Sequence, residues 1–187
     1  MARGTRITSE LITHLPTTDR MLRAKAGDAA AFEELLEPVL DPAFRLAMVM
    51  LRDRTAAEDA VQEAALKAWR NLGRFRPEAE LRPWFLSIVA NECRETRRSR
   101  WRRVLPLELG IVRASENPTD GADRLDLDAG LHRLHPRHLL PITLYYHLDL
   151  PIDEVARVLR CSPGAARVRI HRAIAALRPM LQIEVPA

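Results

Sequence analysis

Ser162-Pro163-Gly164-Ala165-Ala166-Arg167-Val168-Arg169-Ile170-His171-Arg172 is the stretch that decides the fold. Ser162 is placed to cap the first free N–H groups of a helix, and Pro163 suits its first position. At 100° per residue, Ala166, Ile170, Ala173, Ile174 and Leu177 share one stripe, which predicts the buried side. The opposite side carries Ala165, Val168, His171 and Arg172, flanked by Arg167 and Arg169. Small apolar groups framed by guanidinium groups suit the DNA major groove, where a thymine methyl lies near guanine acceptors. A solvated basic helix is the alternative, and the residues just upstream decide against it.

Upstream, Pro151, Asp153 and Glu154 occupy the first turn of a second amphipathic segment, residues 150–159. Proline is tolerated there, and acids meet the positive end of the helix dipole. Val155, Ala156 and Leu159 make its apolar face, and Arg160-Cys161-Ser162 joins it to the arginine-rich helix. Two helices joined by so short a turn form a helix-turn-helix unit. No acid occurs from Val155 to Ile183, whereas Arg157, Arg160, Arg167, Arg169, Arg172 and Arg178 do. Duplex DNA is the expected ligand.

The 187 residues carry 29 Lys and Arg against 25 acids, a formal net charge of +4. No apolar run is long enough for a membrane span and no signal-peptide core is present, so a cytoplasmic chain without membrane insertion is expected. Cys93 and Cys161 stand far apart with no metal-ligand spacing. His132, His135 and His138 recur at a spacing of three, but Pro136 interrupts them and no carboxylate motif completes a zinc site. Neither a nucleophile-and-base pattern nor a phosphate-cradling glycine loop appears, so the expectation is no enzyme activity, no cofactor and no metal.

Charge divides the chain. Residues 94–103 are arginine-rich, and residues 104–128 reverse the sign with Glu108, Glu116, Asp120, Asp123, Asp126 and Asp128. That acidic stretch, with Pro106, Gly110, Pro118 and Gly121, predicts a linker between two helical domains. An all-α chain is expected, with an accessory N-terminus (1–17), a helical domain (18–103), the linker (104–128) and a helix-turn-helix domain (129–187). Four helices are predicted in the first domain, at about 18–26, 28–51, 55–72 and 80–100. Asp28 should cap the second, Thr55 and Glu58 should form a capping box on the third, and Pro38 and Pro42 should kink or interrupt the second.

Two faces of this domain carry candidate binding residues. On the third helix Val61, Ala64, Ala65, Ala68 and Leu72 make the buried stripe, which leaves Leu66 among Asp59, Gln62, Glu63 and Arg70. A leucine on an acidic-polar face is a candidate partner anchor. On the fourth, Ser87, Asn91, Arg94 and Arg98 recur at helical spacing, with Phe75, Arg76 and Trp84 nearby. Aromatic rings that stack on unpaired bases and arginines that hold the backbone would suit a single strand. Burial of the aromatics in the core is the competing assignment.

These stretches together resemble one family. Ala26-Gly27-Asp28, Phe32-Glu33-Glu34-Leu35, Ala57 to Glu63, Lys67-Ala68-Trp69 and Leu81-Arg82-Pro83-Trp84-Phe85 are similar to region two of bacterial extracytoplasmic-function sigma factors. Residues 130–179 resemble region four of the same proteins. The resemblance implies a factor that binds core RNA polymerase and directs it to promoter DNA. It implies that Asp59, Gln62, Glu63 and Leu66 dock on a coiled coil of the polymerase's largest subunit. It further implies that Phe75, Arg76, Trp84, Ser87, Asn91, Arg94 and Arg98 capture unpaired bases of the minus-ten element. Ser162, Ala165, Arg167, Val168, Arg169, His171 and Arg172 would read the minus-thirty-five element as duplex. An anti-sigma factor is a further partner that the family suggests.

Three departures and one rival qualify this. Glu95 stands where the family often has aspartate, and Val168 where it often has a hydroxyl residue, trading a hydrogen bond for a methyl contact. Pro141, within the helix expected before the helix-turn-helix, should make that helix start late or kink. The rival is a stand-alone helix-turn-helix regulator that binds an operator as a dimer. It accounts for residues 150–179 but not for the Leu66 face or the arginines of 94–103.

Overall fold

The computed structural model describes residues 19–76, 79–104, 127, 129–131 and 133–181, and among these there is helix and no strand. Both the N-terminal 17 residues and nearly all of the acidic stretch 104–128 lie outside the described residues. The helices are α1 (residues 19–25), α2 (Ala29–Leu51), α3 (Arg54–Asn71), α4 (Leu81–Val104), α5 (Pro136–Ile142), α6 (Ile152–Val158) and α7 (Pro163–Leu177).

Local chemistry sets most of the boundaries. Gly27, at φ 98°, ends α1 in the left-handed conformation that a Cβ would strain. Asp28 then caps α2, accepting from the Ala31 N–H at 3.0 Å. That bond, together with the Arg23 guanidinium at 2.7 Å, holds the Asp28 carboxyl below the usual carboxylate range. The third helix starts differently from the expectation. Asp53, not Thr55, is the cap and accepts from Ala56 N–H at 2.8 Å, which starts α3 at Arg54. Glu58 makes no reciprocal capping bond because Arg54 engages it at 2.9 Å.

Pro38 and Pro42 do not interrupt α2, which runs unbroken from Ala29 to Leu51. Each proline removes one backbone bond, at a cost of about 3 kcal/mol. Against this, Phe32, Leu35, Leu36, Val39, Leu46 and Met50 are buried along the helix, each contributing about 1.5–3 kcal/mol. Tertiary packing therefore outweighs the local penalty. Pro141 also lies inside a helix, α5, which begins at Pro136 rather than late. The distortion falls downstream: residues Thr143–His147 widen into a π-helical turn, closed by Leu148 N–H on the Thr143 carbonyl at 3.0 Å.

The α2, α3 and α4 helices pack on one another around Phe85, Leu86, Leu46, Met50 and Val89, all buried. Alanines at 57, 60, 64 and 68 line the inner side of α3 and let it approach its neighbours closely. The α5 helix packs on α7, and α6 packs on both α7 and α4. One apolar cluster runs through α2–α4 and on into Leu140, Leu144, Val155, Val158 and Ile170.

Cys93 lies within this cluster with no exposed surface, and burial pushes its thiol up to about 12. Cys161 is half-buried at the turn before α7. Iodoacetamide at pH 8 is therefore expected to alkylate Cys161 in the folded chain and Cys93 only after denaturation, since the thiolate is the nucleophile. Mass spectrometry of native and urea-treated protein checks this, and native modification of Cys93 would contradict its burial.

Candidate polymerase and nucleic-acid interfaces

Three surfaces carry the candidate residues. On α3 the buried alanine stripe turns Asp59, Gln62 and Leu66 outward, with Glu63 half-buried beside them. Leu66 is 45% exposed, an apolar side chain with Gln62 and Glu63 one turn before it and Arg70 one turn after it. Asp59, Gln62, Glu63 and Leu66 make a polar surface around one exposed leucine. It offers one desolvatable anchor within a polar rim, the arrangement of a protein-docking hot spot.

The second surface is a cleft beside α4. A cavity of about 340 Å³ is lined by Lys67, Asn71, Arg74, Trp84, Ile88, Asn91, Glu92 and Arg160. Of the expected residues, exposed Asn91 and half-buried Trp84 line this cavity, whereas Arg76, Arg94 and Arg98 are exposed but are not among its lining residues. Arg94 donates to the Asn91 carboxamide oxygen at 2.7 Å, so the two act as one polar unit. Partial burial, with Arg160 and Arg169 nearby, pulls the Arg94 guanidinium below its ordinary pKa.

Two residues expected on this surface are in the core instead. Phe75 is 5% exposed: its ring stands 4.9 Å from that of Trp84, and its carbonyl accepts from Lys25 at 2.7 Å. In this arrangement the ring is packed in the core against Trp84 and is not exposed. Ser87 is 6% exposed, and its hydroxyl donates to the Trp84 carbonyl at 2.7 Å, so its polar group is already satisfied within α4.

Lys67, Asn71, Arg74 and Glu92 line the cleft without having been singled out in the sequence. Lys67 bridges the buried Glu92 at 2.7 Å and Glu95 at 3.4 Å. The Glu92 hydrogen bond raises the Lys67 pKa despite some desolvation. The signal was available: Lys67 and Asn71 lie four residues apart on α3, and Asn71 donates to the Lys67 carbonyl at 2.8 Å.

The third surface is α7. Ser162 caps it through Ala165 N–H at 3.2 Å, and Ala166, Ile170, Ala173 and Leu177 are buried. Arg167, Val168, Arg169, His171 and Arg172 are exposed, with Val168 at 47%. Ala165 is half-buried, and the Ser162 hydroxyl is committed to the cap. Arg169 reaches back to the Leu159 carbonyl at 3.2 Å, tying the second helix to the first. The turn between them is a Schellman motif. Cys161 N–H bonds the Ala156 carbonyl at 2.9 Å, Arg160 N–H bonds Arg157, and Arg160 takes a left-handed φ of 51°. These hydrogen bonds link α6 to α7 across the turn. Beside it a second cavity, about 630 Å³, lies between Tyr145 and Tyr146 and the Arg167–His171 flank. The two rings meet edge-on at 4.9 Å and were not anticipated.

His135 is engaged by accepting from Arg137 N–H at 3.2 Å, and His132 lies outside the described residues. Among the described residues no group of three His, Cys, Asp or Glu could hold a metal ion, and no helix is long and apolar enough to cross a membrane.

An exposed leucine face on α3, a polar cleft beside α4 and a capped, arginine-bearing α7 occur together in one helical chain. The Sigma-70 region 2 family matches residues 35–103 and the Sigma-70, region 4 family matches residues 124–177. The RNA polymerase sigma factor CarQ of Myxococcus xanthus is 33% identical over 167 residues, covering 86% of this chain and 95% of that protein. The probable RNA polymerase sigma factor RfaY of Xanthomonas campestris is 31% identical, and this chain spans 45% of its length. ECF sigma factor SigW of Bacillus subtilis is 26% identical over 178 residues. The sigma factor RpoE of Bartonella quintana, solved with the anti-sigma factor NepR, superposes with a TM-score of 0.67 at 25% identity. That match covers 82% of this chain and 98% of the other. The chain belongs to the sigma-70 family of RNA polymerase sigma factors, in its extracytoplasmic-function group. It is a promoter-directing initiation factor, and the stand-alone regulator is not favoured, since region 2 would be left unexplained.

Proposed function

We propose that Asp59, Gln62, Glu63 and Leu66 form the surface that docks on core RNA polymerase, and that residues 18–103 and 129–187 are its two working modules. The acidic stretch 104–128 would join them. Trp84, Asn91, Arg94, Arg98 and Arg76, together with Lys67, Asn71 and Arg74, would hold the unpaired minus-ten strand. Bases held in such a cleft offset the unstacking cost of a few kcal/mol. Arg167, Val168, Arg169, His171 and Arg172 would read the minus-thirty-five duplex from the major groove. The observation that carries this is the simultaneous exposure, in one chain, of the Leu66 face and the Val168–Arg172 face. The protein would act in the cytoplasm, without a catalytic step of its own. The NepR complex of the Bartonella quintana factor supports an anti-sigma partner for this chain as well.

Arg172→Ala is the test of the duplex-reading role. It is expected to cost about 1–3 kcal/mol at one or two base pairs of the promoter and to leave the others unchanged. Selection from a randomised promoter library, with the full chain on polymerase, reads this directly. A uniform loss at every sequence would make Arg172 a phosphate contact instead.

A further inference from the structure

An ion pair joins α3 to α4 within the cleft. Lys67 Nζ lies 2.7 Å from Glu92 Oε2 and 3.4 Å from Glu95 Oε2, so two of its three N–H groups are engaged and one is left over. The Glu92 side chain is 9% exposed and that of Lys67 36% exposed, so the acid is the buried partner. Both line the cleft with Asn71, Trp84, Ile88 and Asn91. A carboxylate this buried is costly unless it is paired, and apolar residues of similar volume often serve stability as well or better. Stability alone therefore does not account for the pair.

The pair changes what the cleft can hold. An unpaired lysine is a flexible cation that binds phosphate as a point charge. Lys67 is not such a cation, because Glu92 neutralises it and Glu95 adds a second carboxylate nearby. Arg74 and Arg160 also line the cleft, and neither forms an ion pair among the described residues, so phosphate has freer partners there. The amides beside Lys67 supply uncharged hydrogen-bonding groups. The Asn91 oxygen accepts from Arg94 at 2.7 Å, which leaves the Asn91 amino group as a donor. The Asn71 amino group donates to the Lys67 carbonyl at 2.8 Å, which leaves its oxygen as an acceptor. Donors and an acceptor beside the half-buried Trp84 ring suit the edge and face of an unpaired base. We propose that Glu92 is a positioning residue that makes Lys67 a reader of one minus-ten base rather than a phosphate contact. It holds the ammonium against α4 and cancels its charge, leaving one N–H for an acceptor on the base. This rests on the minus-ten reading of the cleft.

The experiment uses holoenzyme assembled from saturating core RNA polymerase and the full chain. The chain is wild type, Glu92→Gln, Glu92→Asp, or the double variant Lys67→Met with Glu92→Leu, and circular dichroism melts confirm that each is folded. Selection from a randomised single-stranded DNA pool reads base preference, and binding of the unselected pool over a salt series reads phosphate contacts. Glu92→Gln frees a cation, so affinity for the unselected pool should rise and the salt slope should steepen by about 0.7. Preference at one base position should fall on the order of tenfold. Glu92→Asp, which keeps the charge, should restore the wild-type salt slope. The double variant removes both charges together, so the slope should stay at the wild-type value while the same preference is lost. A purely structural role would move neither readout in a folded variant. Preference retained by the double variant would overturn the proposal. So would a shallower slope in that variant, which would make Lys67 a phosphate contact, or folded Glu92→Gln that matches wild type in both readouts. Wild-type holoenzyme with no base preference in the pool would instead overturn the minus-ten reading, and the role of Glu92 with it.

Discussion

Phe75→Ala is expected to lower the unfolding free energy by about 3–5 kcal/mol, the cost of truncating a phenylalanine in a packed core. Phe75 is 5% exposed, its ring is covered by Trp84, and its carbonyl anchors Lys25 from α1. Truncation would leave a cavity beneath Trp84 and loosen the floor of the α4 cleft. The loss should therefore appear first as stability. Urea unfolding followed by circular dichroism measures it. A wild-type midpoint combined with weakened minus-ten binding would return Phe75 to the base-stacking role that its sequence position suggested.

Leu66→Ala should behave in the opposite way. Leu66 is 45% exposed on the outer side of α3, so removing its side chain deletes little intramolecular packing. The thermal midpoint is expected to stay close to that of the wild type. If Leu66 is the apolar anchor of the polymerase contact, truncation costs about 2 kcal/mol of binding, roughly thirtyfold in Kd. Its neighbours Asp59 and Gln62 are rim groups, and alanine at either should cost far less. A large fall in thermal stability for Leu66→Ala would place the side chain in the core and remove the face.

The contrast between these two residues shows what a sequence discloses. Leu66 was legible because helical spacing alone determines that it opposes the alanine stripe of α3. The α7 helix was legible for the same reason, aided by Ser162 and Pro163 at its start. Phe75 follows α3 and its 3-10 turn, where no periodicity applies, so only the fold reveals that Trp84 closes over it. Ser87 sits on α4 at the spacing of a polar face, yet a serine can satisfy its hydroxyl on its own helix and be buried without penalty.

Other misses were contests between local and tertiary terms. Pro38 and Pro42 carry a real local penalty, but the packed face of α2 keeps the helix continuous through both, so the expected interruption does not occur. Asp53 and Thr55 are both competent caps, and Arg54 settled the matter by occupying Glu58. By sequence Glu154 is a first-turn acid at the positive end of the helix dipole. Its burial depends on Arg82, 72 residues earlier in the chain, a pairing that no local pattern encodes.

Titration of the fluorescently labelled full chain with core RNA polymerase tests the central claim most directly. The account predicts saturable, submicromolar binding that Leu66→Ala weakens about thirtyfold while the fold is retained. No binding by a well-folded wild-type chain would contradict it.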